Sequence, residues 1–215
     1  MWKQIEGGFC GPAVLQHLIH SHGFYISQEE IVSVIGGREK VMRDGTTPRQ
    51  LSCALNKLVP DLVLWSKSQA TWQDAVAMVE RYGNNPLGNG IALDIQCVYI
   101  DLDILVPGAI QNRKVVLAKD KTKLVRRRKA TILKEALKED NGHYIVVTDI
   151  YKNGYVKFLD PSYKYPRFLP TSVIINRWWD VNDGKVDERI LMLVTRRDDR
   201  YPEQFGLVNL AVRGC

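Results

Sequence analysis

Cys10 stands directly before a segment with helical apolar spacing, in Phe9-Cys10-Gly11-Pro12-Ala13. A thiol is only weakly ionised near neutral pH, and the positive end of a helix dipole favours its thiolate. Gly11 leaves room for a substrate backbone to come close to the sulfur. Such surroundings suit a nucleophile that forms a covalent acyl intermediate. A buried structural thiol is the competing reading, because free cysteine is among the most buried residue types.

A thiol nucleophile also needs a group to take and return a proton. Of the four histidines, His17, His20 and His22 lie along the helix expected after Cys10, one to three turns away. They are too distant to serve the sulfur, and they lack the acidic or cysteine partner that a metal site would need. A solvated helix face is expected for them. His143 differs, because it follows Asn141-Gly142 and opens the apolar run Tyr144-Ile145-Val146-Val147. A turn there delivers the imidazole to a sheet edge, where it can serve as acid and base.

Asp160 ends the next strand, before Pro161, and is the candidate to orient that imidazole. An ordinary turn aspartate is the competing reading. Gln4, on the approach to Cys10, is the candidate second donor to an oxyanion beside the Cys10 backbone N–H. Strand geometry constrains the pair His143 and Asp160. A strict two-residue turn at Asn153-Gly154 would set Asp160 opposite Val147, about 13 Å from the level of His143 at ~3.3 Å per residue. A four-residue loop, or a bulge of the same effect, sets Asp160 opposite Ile145 and within diagonal reach of His143. The second arrangement is expected, with contact between the two side chains.

The elements that must position these residues follow from local signals. Pro12 fits a first helical turn, and Ala13, Val14, Leu15, Leu18 and Ile19 form a stripe that Gly23 ends. Ser27 with Glu30 opens a second helix through Ile35. Asp44-Gly45 marks a turn. Thr47-Pro48 opens a third helix carrying Leu51, Leu55 and Leu58, and Thr71 with Asp74 opens a fourth that runs to Tyr82 and stops at Gly83. Strands are expected over 90–99, 115–117, 144–151, 155–159 and 189–195, with a helix over 130–138. Helices first and strands later predict an α+β fold with an antiparallel sheet. One domain is expected over 1–215, with a helical half to about residue 85 and a sheet half over about 86–200.

Composition narrows the class. A chain of 215 residues that is 45% hydrophobic buries a real core, and nothing in it suggests disorder or repeats. No run approaches the ~20 apolar residues of a membrane span, and the N-terminus lacks a secretory signal, so a soluble, cytoplasmic protein is expected. The cysteines Cys10, Cys53, Cys97 and Cys215 form no Cys-x-x-Cys pair. Free thiols are therefore expected, buried at Cys53 and Cys97 and exposed at Cys215. The net charge of +6 concentrates near 113–138, where Lys119, Lys121, Lys123, Arg126, Arg127, Arg128 and Lys129 cluster. This tract reads as an exposed insertion and a candidate site for an anionic partner. Nucleic acid is not expected, because no nucleic-acid motif accompanies the charge.

Taken in order, Gln4, Cys10-Gly11-Pro12-Ala13, Gly142-His143-Tyr144-Ile145-Val146-Val147 and Leu159-Asp160-Pro161-Ser162 resemble the bacteriocin-processing, double-glycine type of cysteine peptidase. That family lies within the papain-like superfamily. Asp44-Gly45-Thr46-Thr47 with Leu51 resembles the family's turn and helix between its two halves. The resemblance implies a papain-like fold, with the nucleophile at a helix N-terminus packed on a C-terminal antiparallel sheet. It implies Cys10 as nucleophile, His143 as acid and base, Asp160 as orienter and Gln4 as oxyanion donor, with no metal or organic cofactor. The stretch before His143 is longer than the family's, and the chain carries no transporter span or P-loop, so it is not expected to be part of an intact exporter. Family members of that kind cut after Gly-Gly in a leader peptide, a specificity that no residue here reports. Gly7-Gly8 reads as a flexible approach to Cys10.

The expected activity is cleavage of a peptide or isopeptide bond in a peptide or protein substrate. Transfer of the acyl group to an amine shares the first half-reaction. Two rivals belong to other classes. One is a peptide-binding module that keeps the fold without the chemistry. The other is a nucleic-acid-associated protein that uses the basic tract.

Overall fold

In the computed structural model, the described residues are 3–83, 89–96, 110–111, 114–115, 142–182 and 185–213. Helix α1 (Cys10–His20) starts at the cysteine, with Pro12 in its first turn. It is buried on most of its circumference, through Val14, Leu15, His17, Leu18 and Ile19. Helix α2 (Gln28–Ile35) opens on the reciprocal Ser27 and Glu30 capping box and ends at Gly36 and Gly37, both at positive φ. A helix absent from the sequence reading, α3 (Arg38–Asp44), follows at once. Helix α4 (Pro48–Leu58) has Pro48 in its first turn and a Thr47–Gln50 capping box. Helix α5 (Trp72–Tyr82) has the expected Thr71–Asp74 box and its cap at Gly83. Three capping boxes at three expected helix starts reflect bonds made within four residues of chain.

Between α4 and α5 runs β1 (Leu62–Lys67), a strand with no counterpart in the sequence reading. Leu62 and Leu64 join one hydrophobic cluster, Val63 and Trp65 the other. A strand buried on both faces loses the alternation that betrays a strand. The helical half thus contributes a strand to the sheet, and the two halves interlock.

The remaining strands are β2 (Ile91–Gln96), the short pair β3 (Ile110–Gln111) and β4 (Lys114–Val115), β5 (Gly142–Ile150), β6 (Tyr155–Leu159), β7 (Arg167–Pro170), β8 (Trp179–Asn182), β9 (Lys185–Glu188), β10 (Leu191–Arg196) and β11 (Val208–Asn209). Helix α6 (Thr171–Arg177) follows β7 directly. Seven strands pair antiparallel in the order β11-β1-β10-β2-β5-β6-β7. Leu15, Ile19, Ile31, Leu51 and Leu55 of α1, α2 and α4 pack on one face, against Leu64, Val146 and Val194. Met78 and Val79 of α5 and Ile174 of α6 pack on the other, against Leu93, Ile145 and Phe158. The expected helix over 130–138 and the basic residues from Lys119 to Lys129 lie outside the described residues. So do Val116 and Leu117 of one expected strand, and Cys97 with its neighbours in another.

The β5–β6 pairing decides where His143 and Asp160 meet. Ile150 faces Val156 and Asp149 faces Lys157, but Val147 faces Phe158 and Val146 faces Leu159. Thr148 is therefore the extra residue of a bulge. The loop proper is Lys152-Asn153-Gly154, closed by Tyr151 N–H donating to Tyr155 O at 2.8 Å. Beyond the bulge the register puts Asp160 level with Ile145, the outcome expected for a bulge.

The loop into α1 has one strict requirement. Gly8 sits at φ +80°, and a Cβ there would overlap the carbonyl oxygen of Val41 in α3. Gly7 has open space instead. The expected result for Gly8→Ala is a loss of about 1–3 kcal/mol, the usual cost of forcing an L residue into strained backbone. Gly7→Ala should be close to neutral. Thermal unfolding of both variants checks the contrast.

Candidate active site

Cys10 is placed by packing on one side and backbone geometry on the other. Phe9 is fully buried in the cluster beneath the sheet, and its carbonyl accepts the first helical bond, from Ala13 N–H at 2.9 Å. The half-buried Cys10 thiol then meets the His143 side chain and the backbone N–H groups of Tyr144 and Gly11. Burial pushes the thiol up from its ordinary 9.0, but the hydrogen bond and charge of His143, with the two N–H groups, outweigh it and hold it lower. This is a free thiol.

His143 is the second residue of β5 and is buried. Its Nε2 lies 2.8 Å from Asp160 Oδ1. An ionised carboxylate only accepts, so Nε2 carries a proton and Nδ1 is the nitrogen left for the thiol. Burial pushes the imidazole down, but its bonds to Asp160 and Cys10 outweigh that and carry it well above 6.5. Asp160 is buried too, and burial pushes it up. The His143 bond and charge, the Ser162 N–H at 2.9 Å and the Arg167 charge hold it below 3.8. A thiol held lower beside an imidazole carried higher favours passage of the sulfur's proton to the ring, and the two titrate as a unit. Such a pair can attack a carbonyl carbon and return a proton to a leaving group.

Gln4 lies on the connecting segment that leads into α1. Its N–H donates to Pro161 O at 2.9 Å, beside Asp160. The Gln4 Oε1 atom is buried and meets no donor among the described residues. Gln28 holds this segment from both sides. Its Oε1 accepts from Ile5 N–H at 3.1 Å, and its Nε2 donates to Lys3 O at 2.9 Å. Gln28 is a buried residue that the sequence reading passed over, because nothing local distinguishes it from any first-turn glutamine.

Several expectations change. Gly11 does not open space for a substrate backbone, because a Cβ there would overlap Thr46 Oγ1. Thr46 is itself held by Tyr144, whose hydroxyl donates to Thr46 O at 3.1 Å. The three histidines after Cys10 are not a solvated face. His17 is buried, and His22 Nε2 lies 2.9 Å from Val194 O, where burial lowers the imidazole pKa. His20 packs edge-on against Tyr25. Cys53 is not a free buried thiol. It is half-buried in α4 and engaged in a disulfide whose partner lies outside the described residues. Cys97 and Cys215 lie outside them as well. Widely spaced cysteines brought together only by folding leave no mark on local sequence.

No protein-family model and no curated protein matches the chain. Solved structures do. The peptidase domain of Streptococcus ComA, a bi-functional ABC transporter involved in a quorum-sensing pathway, superposes with a TM-score of 0.50 at 16% identity. The alignment covers 91% of this chain and 97% of that domain. A double-glycine motif protease from an AMS/PCAT transporter, solved in complex with the leader peptide, gives a TM-score of 0.48 at 13% identity, over 90% and 89% of the two chains. The likeness to the ComA domain is one of fold, and the fold is the papain-like one of a peptidase domain.

The site predicts a pH dependence. Cys10 alkylation by iodoacetamide should rise with pH through a midpoint clearly below the 9.0 of an ordinary thiol. In His143→Ala, burial acts without its main opposition, and the midpoint should move up to that value or beyond. Site-resolved mass spectrometry over a pH series reads both.

Proposed function

We propose that this chain is a papain-like cysteine peptidase that cleaves a peptide or isopeptide bond. The observation that carries the reading is the continuous chain of contacts from Cys10 through His143 to Asp160. Cys10 Sγ attacks the scissile carbonyl carbon. The carbonyl π pair moves to oxygen, and the oxyanion is met by the Cys10 N–H and the Gln4 side-chain amide. The C–N bond then breaks, and His143 gives its proton to the leaving amine. Water, deprotonated by His143, attacks the thioester and frees the acid, which restores the thiolate–imidazolium pair. An amine in place of that water would give acyl transfer. Asp160 fixes the imidazole and stabilises its charge without itself taking the proton.

The fold supports this reading, because it is the fold of a peptidase domain. The buried polar row adds support. Desolvating His143 and Asp160 costs stability, and a module that only held a peptide would gain nothing from them. A peptide or protein substrate follows from the chemistry. Among the described residues no helix is long and apolar enough to cross a membrane. The Cys53 disulfide weighs against the reducing cytoplasm that the sequence suggested.

An irreversible peptide electrophile tests the proposal. Intact-mass analysis should show one adduct per chain, on Cys10, with the other thiols unlabelled. Cys10→Ala should fold with an unchanged melting temperature, take no label and show no turnover. Asp160→Ala should slow labelling by ~10²–10⁴-fold, the range for losing a component of acid–base catalysis. Labelling spread over several cysteines, or turnover by Cys10→Ala, would end the reading.

A further inference from the structure

The Asp160 carboxylate has two oxygens, and they are used differently. Oδ1 faces His143 Nε2 at 2.8 Å and accepts from Ser162 N–H at 2.9 Å. Oδ2 faces Arg167 Nη1 at 3.4 Å. Arg167 begins β7 and stands opposite Phe158, two residues before Asp160 on β6. With a side-chain period of two, Phe158, Asp160 and Arg167 share a face, and Arg167 reaches Asp160 along the diagonal. The guanidinium is itself seated, with Cζ 4.2 Å from the centroid of the Tyr163 ring and 5.8 Å from that of Phe158. Its side chain is 16% exposed and that of Asp160 4%, so the pair is poorly screened by water.

We propose that Arg167 is a positioning residue of the site, bound to Asp160 Oδ2 and seated on the Tyr163 ring so that Oδ1 stays turned to His143. This rests on the reading of Cys10, His143 and Asp160 as catalytic. A buried carboxylate held by one imidazole and one N–H is free to rotate its second oxygen inward, and burial favours its protonation. A seated guanidinium blocks both. Among the described residues, the ionisable groups that meet Asp160 are His143 from β5 and Arg167 from β7, and Cys10 of α1 reaches it only through His143. Removing the Arg167 cation favours the proton-bound form of Asp160 and, through the shared hydrogen bonds, of the Cys10 thiol. Both changes move the acid limb of thiol reactivity to higher pH.

The test uses the full chain, iodoacetamide as the probe and the Cys10 alkylation rate across pH, with melting temperatures measured alongside. Arg167→Met should raise the midpoint of the acid limb, by on the order of one pH unit. Asp160→Asn should raise it as well. Adding Arg167→Met to Asp160→Asn should add little, because the guanidinium acts through the carboxylate. Arg167→Lys should restore most of the wild-type profile. A purely structural arginine would instead lower the melting temperature and leave the midpoint in place. An Arg167→Met profile that superposes on wild type would overturn the proposal, as would an equally large shift in the Asp160→Asn background. If Arg167→Met does not fold, Tyr163→Leu removes the seat. It should then shift the midpoint the same way by less, and no shift would overturn the proposal. A wild-type Cys10 that titrates like an ordinary thiol is a different failure, that of the peptidase reading itself.

Discussion

The row formed by His143, Asp160 and Arg167 across β5, β6 and β7 exists because Thr148 is an extra residue in β5. On the hairpin side of the bulge, Asp149 faces Lys157. On the far side, Val147 faces Phe158. Without the insertion, Asp160 would stand level with Val146, and its side chain would leave the sheet on the face opposite to that of His143. With it, the carboxylate meets the imidazole directly. Bulges bend and twist a strand as well as shift its register. Here the useful consequence is the parity of side chains, which brings two polar groups at the same end of one hairpin to the same face.

That row must also meet a helix end. Helix α1 is buried on most sides, so its start cannot drift without disturbing the cluster that contains Phe9, Leu15 and Ile19. The approach to it is fixed at three places. Gly8 passes close to Val41, Gln28 bridges the backbone on both sides of Gln4, and Gln4 N–H binds Pro161 O next to Asp160. The last contact matters most for chemistry, because it ties the segment carrying the proposed oxyanion donor to the loop that follows the proposed orienting carboxylate. Thr46, held by Tyr144, then fills the space beside Gly11. The glycine therefore serves the protein's own packing at the start of α1.

The electrostatics of the site are a contest between burial and bonding. Burial by itself would neutralise all three of its titratable members, raising Cys10 and Asp160 and lowering His143. Each is turned the other way by neighbours that reward its charge. For the thiol these are the imidazole and two backbone N–H groups, and for the carboxylate an imidazole, one N–H and a guanidinium. Such groups are mutually dependent, since the charge of each favours the charge of its neighbour. A buried cysteine without such neighbours has its thiolate disfavoured and stays inert.

The sequence by itself determined the helices with capping boxes and the identity of the residues that meet at the site. Ser27 with Glu30, Thr47 with Gln50 and Thr71 with Asp74 each make their bonds within one turn, so their spacing is the structure. Cys10 at a helix start, His143 near a strand start and Asp160 just past the end of the next strand were legible for the same reason. The need for a bulge or a longer loop was legible too, because strand parity is arithmetic, although its place at Thr148 was not. What only the tertiary structure decided depends on residues far apart in the chain. Strand β1 lost its alternation because both faces are covered, and α3 has no side-chain cap to announce it. The grip of Gln28 on Lys3 and Ile5 and the contact of Arg167 with Asp160 each join a helix or strand residue to a connecting segment. A local pattern records the bonds a residue makes with its neighbours in sequence. The partners of Gln28 and Thr46 are chosen by the packing of whole elements, and no short window of sequence contains both sides of that choice, while Arg167 and Asp160 lie only seven residues apart and meet through the register of β6 and β7.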